Sequence, residues 1–164
     1  MLALSHVWES PDKQNYIIAA KGSPEAIADL CHLSLGRNQE LMACIENMAK
    51  MGLRVLGVAK ASFKKQELPD AQHDFVFEFI GLLGFSDPVR PTLPAAIKEA
   101  YDAGIKVIMI TGDYPGTAAH IAKQIGLNDP EQYITGSELG AMEHLELRER
   151  IKSISVFARV VPEQ

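Results

Sequence analysis

The run Val107-Ile108-Met109-Ile110-Thr111-Gly112-Asp113, followed by Tyr114-Pro115, reads as a strand that stops at a turn and opens into a helix. Four consecutive apolar residues predict a buried strand over Lys106 to Ile110. Pro115 suits the first turn of a helix, and Ala118, Ile121, Ala122 and Ile125 share one helical face before Gly126 ends it. A strand-to-helix turn presents backbone N–H groups and a Thr hydroxyl where a phosphoryl group binds well, and Asp113 beside it can orient a cation or a water. A plain turn uses the same three residues, so Thr-Gly-Asp alone is a weak signal.

Working outward, the pattern on either side of this strand is helical. Thr92 to Ala103 carries Leu93, Ala96, Ile97 and Ala100 on one face, with Gly104 as its stop. A helix around His144 to Lys152 and a strand from Ile154 to Ala158 complete an alternation of helix and strand. That alternation predicts a parallel sheet with helices on its faces. Such sheets bind ligands at the C-terminal ends of their strands, where Thr111 to Asp113 falls.

The first half reads differently. Leu2 to Trp8 and Tyr16 to Ala20 flank a turn-rich loop, which predicts a hairpin with Trp8 packed against it. Ser23 and Pro24 predict the start of a helix reaching about His32, with Ile27, Leu30 and Cys31 inward. Asn38 is the expected cap of a second helix, with Leu41, Ile45, Met48 and Ala49 inward and Gly52 as its end. Strands follow at Arg54 to Ala61 and Phe75 to Phe85, around a polar segment. Ser86-Asp87-Pro88-Val89-Arg90-Pro91 disfavours regular structure and reads as a hinge. The expectation is therefore two domains, one mixed α+β up to residue 86 and one open α/β from residue 87, with the hinge at 86–91.

Composition narrows the function. The chain has 164 residues, 47% apolar and 23% charged, with a net charge of −5. That balance argues against bulk nucleic-acid binding. No apolar run approaches the roughly 18–20 residues that span a bilayer, and the N-terminal residues do not read as a signal peptide. Cys31 and Cys44 fall on apolar helix faces and read as reduced, buried thiols. The five histidines have no metal spacing, so no metal site is expected, and Glu143 with Glu146 reads as a solvated helix face.

Five segments, in order, carry a resemblance. They are Lys21-Gly22-Ser23-Pro24-Glu25, Met51 to Ala59 (MGLRVLGVA), Asp87-Pro88-Val89-Arg90-Pro91, the Thr111-Gly112-Asp113 strand and Val156 to Gln164 (VFARVVPEQ). Together, across nearly the whole chain, they resemble the large cytoplasmic region of a cation-transporting P-type ATPase, on the branch that pumps ions such as calcium. The resemblance implies the later part of a nucleotide-binding domain joined to the middle of a phosphorylation domain with a haloacid-dehalogenase-like, Rossmann-like parallel sheet. It implies that Thr111, Gly112 and Asp113 form a catalytic phosphate-binding loop. It implies nucleotide contacts from Lys21, Gly22, Arg54, Asp87, Arg90 and Arg159. Guanidinium suits the phosphate task because it pairs in a fork. Read without the resemblance, Lys21, Arg54 and Arg159 serve equally as solvated strand-end charges, and Asp87 with Arg90 as a turn closed by an ion pair.

The family phosphorylates an aspartate in an Asp-Lys-Thr-Gly-Thr segment and binds magnesium through Thr-Gly-Asp-Gly-Val-Asn-Asp. Neither occurs in these residues. The resemblance thus implies an excised, soluble piece of an integral membrane pump, from its cytoplasmic side. The parent would use ATP and Mg2+ and partner its own membrane helices and actuator domain. The piece itself is expected to be inactive, with weak nucleotide binding and unpaired sheet edges through which it could dimerise or swap segments. The transported ion is not legible here. The alternatives are a soluble haloacid-dehalogenase-like phosphatase, disfavoured by the missing Asp-x-Asp, and a non-catalytic nucleotide-binding module.

Overall fold

A computed structural model of the chain describes residues 3–162. Leu2 of the first expected strand, and Glu163 and Gln164 of the last motif, lie outside the described residues. The chain divides into two compact units: one takes in residues up to Ile45 and Val55–Phe85, the other Glu46–Arg54 and everything from Ser86 on.

The first unit is built on a four-stranded sheet in the order β1-β2-β3-β4. β1 (Ala3–Glu9) and β2 (Asn15–Gly22) form an antiparallel hairpin in which Trp8 lies opposite Ile17 and Leu4 opposite Lys21. The connecting turn is held by Asp12, whose carboxylate accepts from the Ser10 hydroxyl and from the Gln14 N–H. These donors, the Ser10 hydroxyl foremost, hold the Asp12 carboxyl below its ordinary value. β3 (Arg54–Lys64) pairs antiparallel with β2, placing Lys21 opposite Val58. Its side chains alternate: Val55, Gly57, Ala59 and Ala61 are buried, while Lys60, Ser62 and Lys64 are exposed. β4 (Glu78–Phe85) completes the sheet after a short 3-10 turn at Gln72–Asp74. Ile18, Ala20, Ile27, Leu30, Ala59, Ala61, Phe75 and Phe77 form the core on one face.

α1 (Pro24–Leu30) starts as expected, with the Ser23 hydroxyl accepting from the Ala26 N–H at 3.3 Å and Pro24 in the first turn. Its close seat on the sheet depends on Gly57, since a Cβ there would lie 2.9 Å from Ile27 Cβ and 3.2 Å from Pro24 Cα. α2 (Leu35–Lys50) begins earlier than Asn38. Asn38 does not cap it; its amide instead donates back to the Leu33 carbonyl at 3.1 Å, and its own N–H is already taken by Ser34.

Other expectations of burial fail here. Trp8 is 53% exposed and stacks on His6 with 5.6 Å between ring centroids. It lies on the sheet face opposite the core, because Ile18 and Ala20 take the inward positions of β2. Cys44 is exposed, whereas Cys31 is half-buried and packs against this core, as its inward position at the end of α1 predicts; both are free thiols.

The second unit contains a three-stranded sheet in the order β5-β7-β6, all pairs parallel. β5 is Met109–Ile110, β6 is Tyr133–Thr135 and β7 is Val156–Ala158. Both faces of this sheet are packed. On one, Val156 and Ala158 join Ile97 of α3 (Leu93–Asp102) and Ala118, Ala122 and Ile125 of α4 (Pro115–Ile125). On the other, Phe157 and Ile134 pack with Leu139 of α5 (Gly136–Ala141) and Leu147 of α6 (His144–Arg150). A parallel sheet covered on both faces is what helix–strand alternation demands. β6 and α5 were not expected from the sequence, although Thr135 and Glu138 form a capping box there.

The expected strand at Lys106 to Ile110 is shorter and less buried than its apolar run suggested. β5 is an edge strand bonded only to β7 among the described residues, and Ile110, at its C-terminal end, is 68% exposed. On α3, Leu93 and Ala96 are likewise exposed, leaving Ile97 as that helix's buried contact.

Candidate functional site

β5 and β7 run side by side, with Ile110 opposite Phe157, so their C-terminal ends emerge together. The ladder continues past them. Thr111 N–H donates to Phe157 O at 2.9 Å, Val160 N–H to Thr111 O at 3.1 Å and Arg159 N–H to Asp113 O at 3.1 Å. The turn at 111–113 is thereby stitched to the residues after β7.

Within the turn the side chains fix one another. The Thr111 hydroxyl accepts from the Asp113 N–H at 3.1 Å and donates to Asp113 Oδ2 at 3.1 Å. The other oxygen, Asp113 Oδ1, lies 3.7 Å from Arg54 Nε. Gly112 is exposed, its φ is not in the left-handed region, and a Cβ on it would meet only Val160 O at an ordinary 3.8 Å. Neither backbone conformation nor crowding inside the chain calls for glycine there. α4 then begins at Pro115 with no side chain capping it, so the first-turn N–H groups have no intrahelical acceptor.

Two guanidinium groups stand at this strand end. Arg54 arrives from the end of α2, where Gly52 (φ +78°) closes a Schellman turn: Gly52 N–H donates to Ala49 O at 2.8 Å and Leu53 N–H to Met48 O at 3.2 Å. Arg159 follows β7 in a left-handed conformation (φ +56°), with its guanidinium carbon 4.5 Å from the centre of the Tyr114 ring. That cation–π contact orients the guanidinium.

Of the residues singled out from the sequence, Arg54, Thr111, Gly112, Asp113 and Arg159 therefore share one strand end. Lys21 and Gly22 belong to the first unit, where Lys21 is exposed on β2 and Gly22 lies opposite Gly57. Asp87 and Arg90 are exposed in the segment before α3, and no ion pair closes between them among the described residues. That turn is held by its backbone, Leu93 N–H donating to Arg90 O at 3.0 Å, and by Val89 packing on the second unit's core.

Sequence reasoning passed over Tyr114, whose ring carries Arg159. An aromatic directly after the Thr-Gly-Asp turn was the available signal. Among the described residues no three His, Cys, Asp or Glu side chains gather in a metal-binding arrangement. Asp113 is the turn's one carboxylate, and Thr111 and Arg54 already engage its two oxygens. These residues alone do not make a magnesium site.

Fold and site together define an α/β protein with a strand-end Thr-Gly-Asp turn flanked by two arginines. The family described as P-type ATPase, cytoplasmic domain N, matches residues 3–92. Calcium-transporting ATPase 1 of Lactococcus lactis is 41% identical over 160 residues, which cover 89% of this chain and 18% of that protein. The calcium-transporting ATPase of Bacillus subtilis is 35% identical over 167 residues, covering 94% and 19%. Calcium-transporting ATPase 1 of Saccharomyces cerevisiae is 39% identical over 125 residues, covering 73% and 13%. The chain belongs to the P-type ATPase family, among its calcium-pump-like cation transporters, and spans a fifth or less of the length of these relatives. No helix among the described residues is long and apolar enough to cross a membrane.

Proposed function

We propose that this chain supplies part of the ATP and phosphoryl site of a pump that couples ATP hydrolysis, through an aspartyl-phosphate, to cation transport across a membrane. In this reading the first unit is the later part of a nucleotide-binding domain. The second is the middle of a haloacid-dehalogenase-like phosphorylation domain, with residues 86–91 as the hinge. Both would lie on the cytoplasmic side. Calcium is the ion we favour, because the similar proteins from Lactococcus, Bacillus and Saccharomyces are named calcium-transporting.

The observation that carries the reading is the convergence of Arg54 and the Thr111–Asp113 turn on one strand end. A phosphoryl group in transfer spreads negative charge over three oxygens, and fixed donors aimed at them lower its energy. Gly112, which nothing among the described residues requires to be glycine, leaves room for such a group to approach the backbone. Arg54 has a side chain 71% exposed and, among the described residues, one ion-pair partner, so its fork remains open to phosphate oxygens. The Thr111 hydroxyl gives its hydrogen to Asp113 here. It can turn that hydrogen to a phosphoryl oxygen while Asp113 N–H keeps its oxygen in place. Asp113 thus acts as holder of Thr111, and its other oxygen faces Arg54 across 3.7 Å. Arg159, Asp87, Arg90, Lys21 and Gly22 are assigned to the nucleotide. The magnesium that accompanies ATP finds no ligand set in these residues.

Titration calorimetry with ATP and with adenosine tests this. ATP should bind more tightly than adenosine, and Lys21→Ala should weaken both. No ATP turnover is expected above a heat-killed control, since the Asp-Lys-Thr-Gly-Thr nucleophile does not occur in the sequence. Equal affinity for ATP and adenosine would remove the phosphate role of this strand end.

A further inference from the structure

We infer that Thr117, which touches no ligand in this reading, is a positioning residue that sets where Arg54 stands. The inference rests on the phosphate role proposed above for Arg54. Its starting point is how little holds the Arg54 side chain. The guanidinium is largely exposed and its ion pair to Asp113 is long at 3.7 Å. Contacts of that kind fix a long side chain poorly. The backbone that delivers it is fixed well.

Thr117 is 1% exposed, and its hydroxyl donates to the Leu53 carbonyl at 2.8 Å. The Leu53 carbonyl belongs to the peptide plane that carries the Arg54 N–H. Because that plane is rigid, anchoring its oxygen sets the direction from which the Arg54 Cα leaves. Neighbouring positions of α4 tighten the same grip. A Cβ on Gly116 would lie 3.2 Å from both Ala49 C and Lys50 N, so the last turn of α2 rests directly on the first turn of α4. A Cβ on Gly52 would fall inside the contact distance of the His120 ring, 2.9 Å from Nε2 and nearer still to Cδ2.

The helix that opens at the Thr-Gly-Asp turn therefore holds, one turn further on, the segment bearing the arginine that meets Asp113. Turn and arginine are referenced to one rigid element. A site that must match phosphate geometry gains by such support, since its donors then need no search at binding.

The test is the ratio of adenosine to ATP dissociation constants for the full chain, measured by calorimetry. Arg54→Gln should lower that ratio about tenfold or more, the loss of a charge-assisted contact. Thr117→Val keeps the shape and removes the donor. It should lower the ratio about three- to tenfold, the range of one ordinary hydrogen bond. Adenosine affinity should be unchanged, Thr117→Ser should restore the ratio, and Thr117→Val should add nothing in the Arg54→Gln background. A purely structural Thr117 would give a lower melting temperature with the ratio intact, or a loss additive with Arg54→Gln, and either would overturn the inference. If Thr117→Val does not fold, Thr117→Ala reads the same ratio. If Arg54→Gln itself leaves the ratio unmoved, the proposed phosphate role fails and this inference fails with it. If Arg54→Gln lowers the ratio and Thr117→Val does not, only the inference fails.

Discussion

Gly52→Ala separates two costs that the structure places at one residue. Gly52 sits at φ +78°, a left-handed conformation that costs an L-residue about 1–2 kcal/mol. The added methyl would also press into the His120 ring, which an overpacked site resists at about 1–3 kcal/mol. The single substitution should therefore destabilise the second unit by about 2–5 kcal/mol. In a His120→Ala background the clash is gone and only the backbone cost of about 1–2 kcal/mol remains. The double-mutant cycle should thus show a coupling of about 1–3 kcal/mol. Amide hydrogen exchange on α4 reads this unit directly. Fluorescence of the single tryptophan, Trp8, reports on the other unit and serves as the control. Strict additivity of the two substitutions would mean that Gly52 does not meet His120, and the seating of the Arg54 segment would have to be redrawn.

Three further outcomes follow from single sites. The Thr135 N–H and hydroxyl, each 2.7 Å from Glu138 Oε2, lower the Glu138 carboxyl below its ordinary value, the backbone bond contributing most. A lowered carboxyl stabilises the fold fully above its unfolded pKa and loses that contribution as pH falls through the folded one. The stability gap between wild type and Glu138→Gln should therefore shrink on acidification below about pH 4.5, and a gap independent of pH would contradict the capping box. Ile134 is fully buried, and Ile134→Ala should cost about 2–5 kcal/mol in urea unfolding; a loss under about 1 kcal/mol would place it outside the core. Cys44 is exposed, while burial raises the Cys31 thiol above its ordinary value. A disulfide reagent at neutral pH should modify Cys44 first, and equal rates would argue against the burial of Cys31.

Some elements were legible because local chemistry and tertiary packing agree. Ser23-Pro24 starts α1, and Pro115 and Gly126 bracket α4, whose Ala118, Ala122 and Ile125 are all buried. The hairpin showed for the same reason, its turn residues bonding among themselves. Other features depended on context that a local reading lacks. The run from Val107 to Ile110 reads as interior, yet burial needs neighbours on both sides, and β5 is bonded on one. β6 has three residues, too few to show a period, although the Thr135-Gly136-Ser137-Glu138 signature stood beside it. Asn38 has the right type for a cap but the wrong direction, donating to Leu33 rather than accepting from its helix.

At the candidate site, residue type revealed the charged groups and the Thr-Gly-Asp turn. It did not reveal that Asp113 joins Thr111 to Arg54, because Arg54 and Asp113 stand 59 positions apart in the sequence (113 − 54). Nor did it reveal Thr117, a buried hydroxyl among alanines that a helical pattern treats as one more small core residue.

The claim beneath all of this is that the end of β5 receives a phosphoryl group. Backbone amide shifts recorded while ATP is titrated onto the chain test it most directly. The account predicts that Thr111, Gly112 and Asp113 shift together and saturably, and that adenosine leaves them still. Saturable ATP shifts elsewhere with these three unmoved would contradict it.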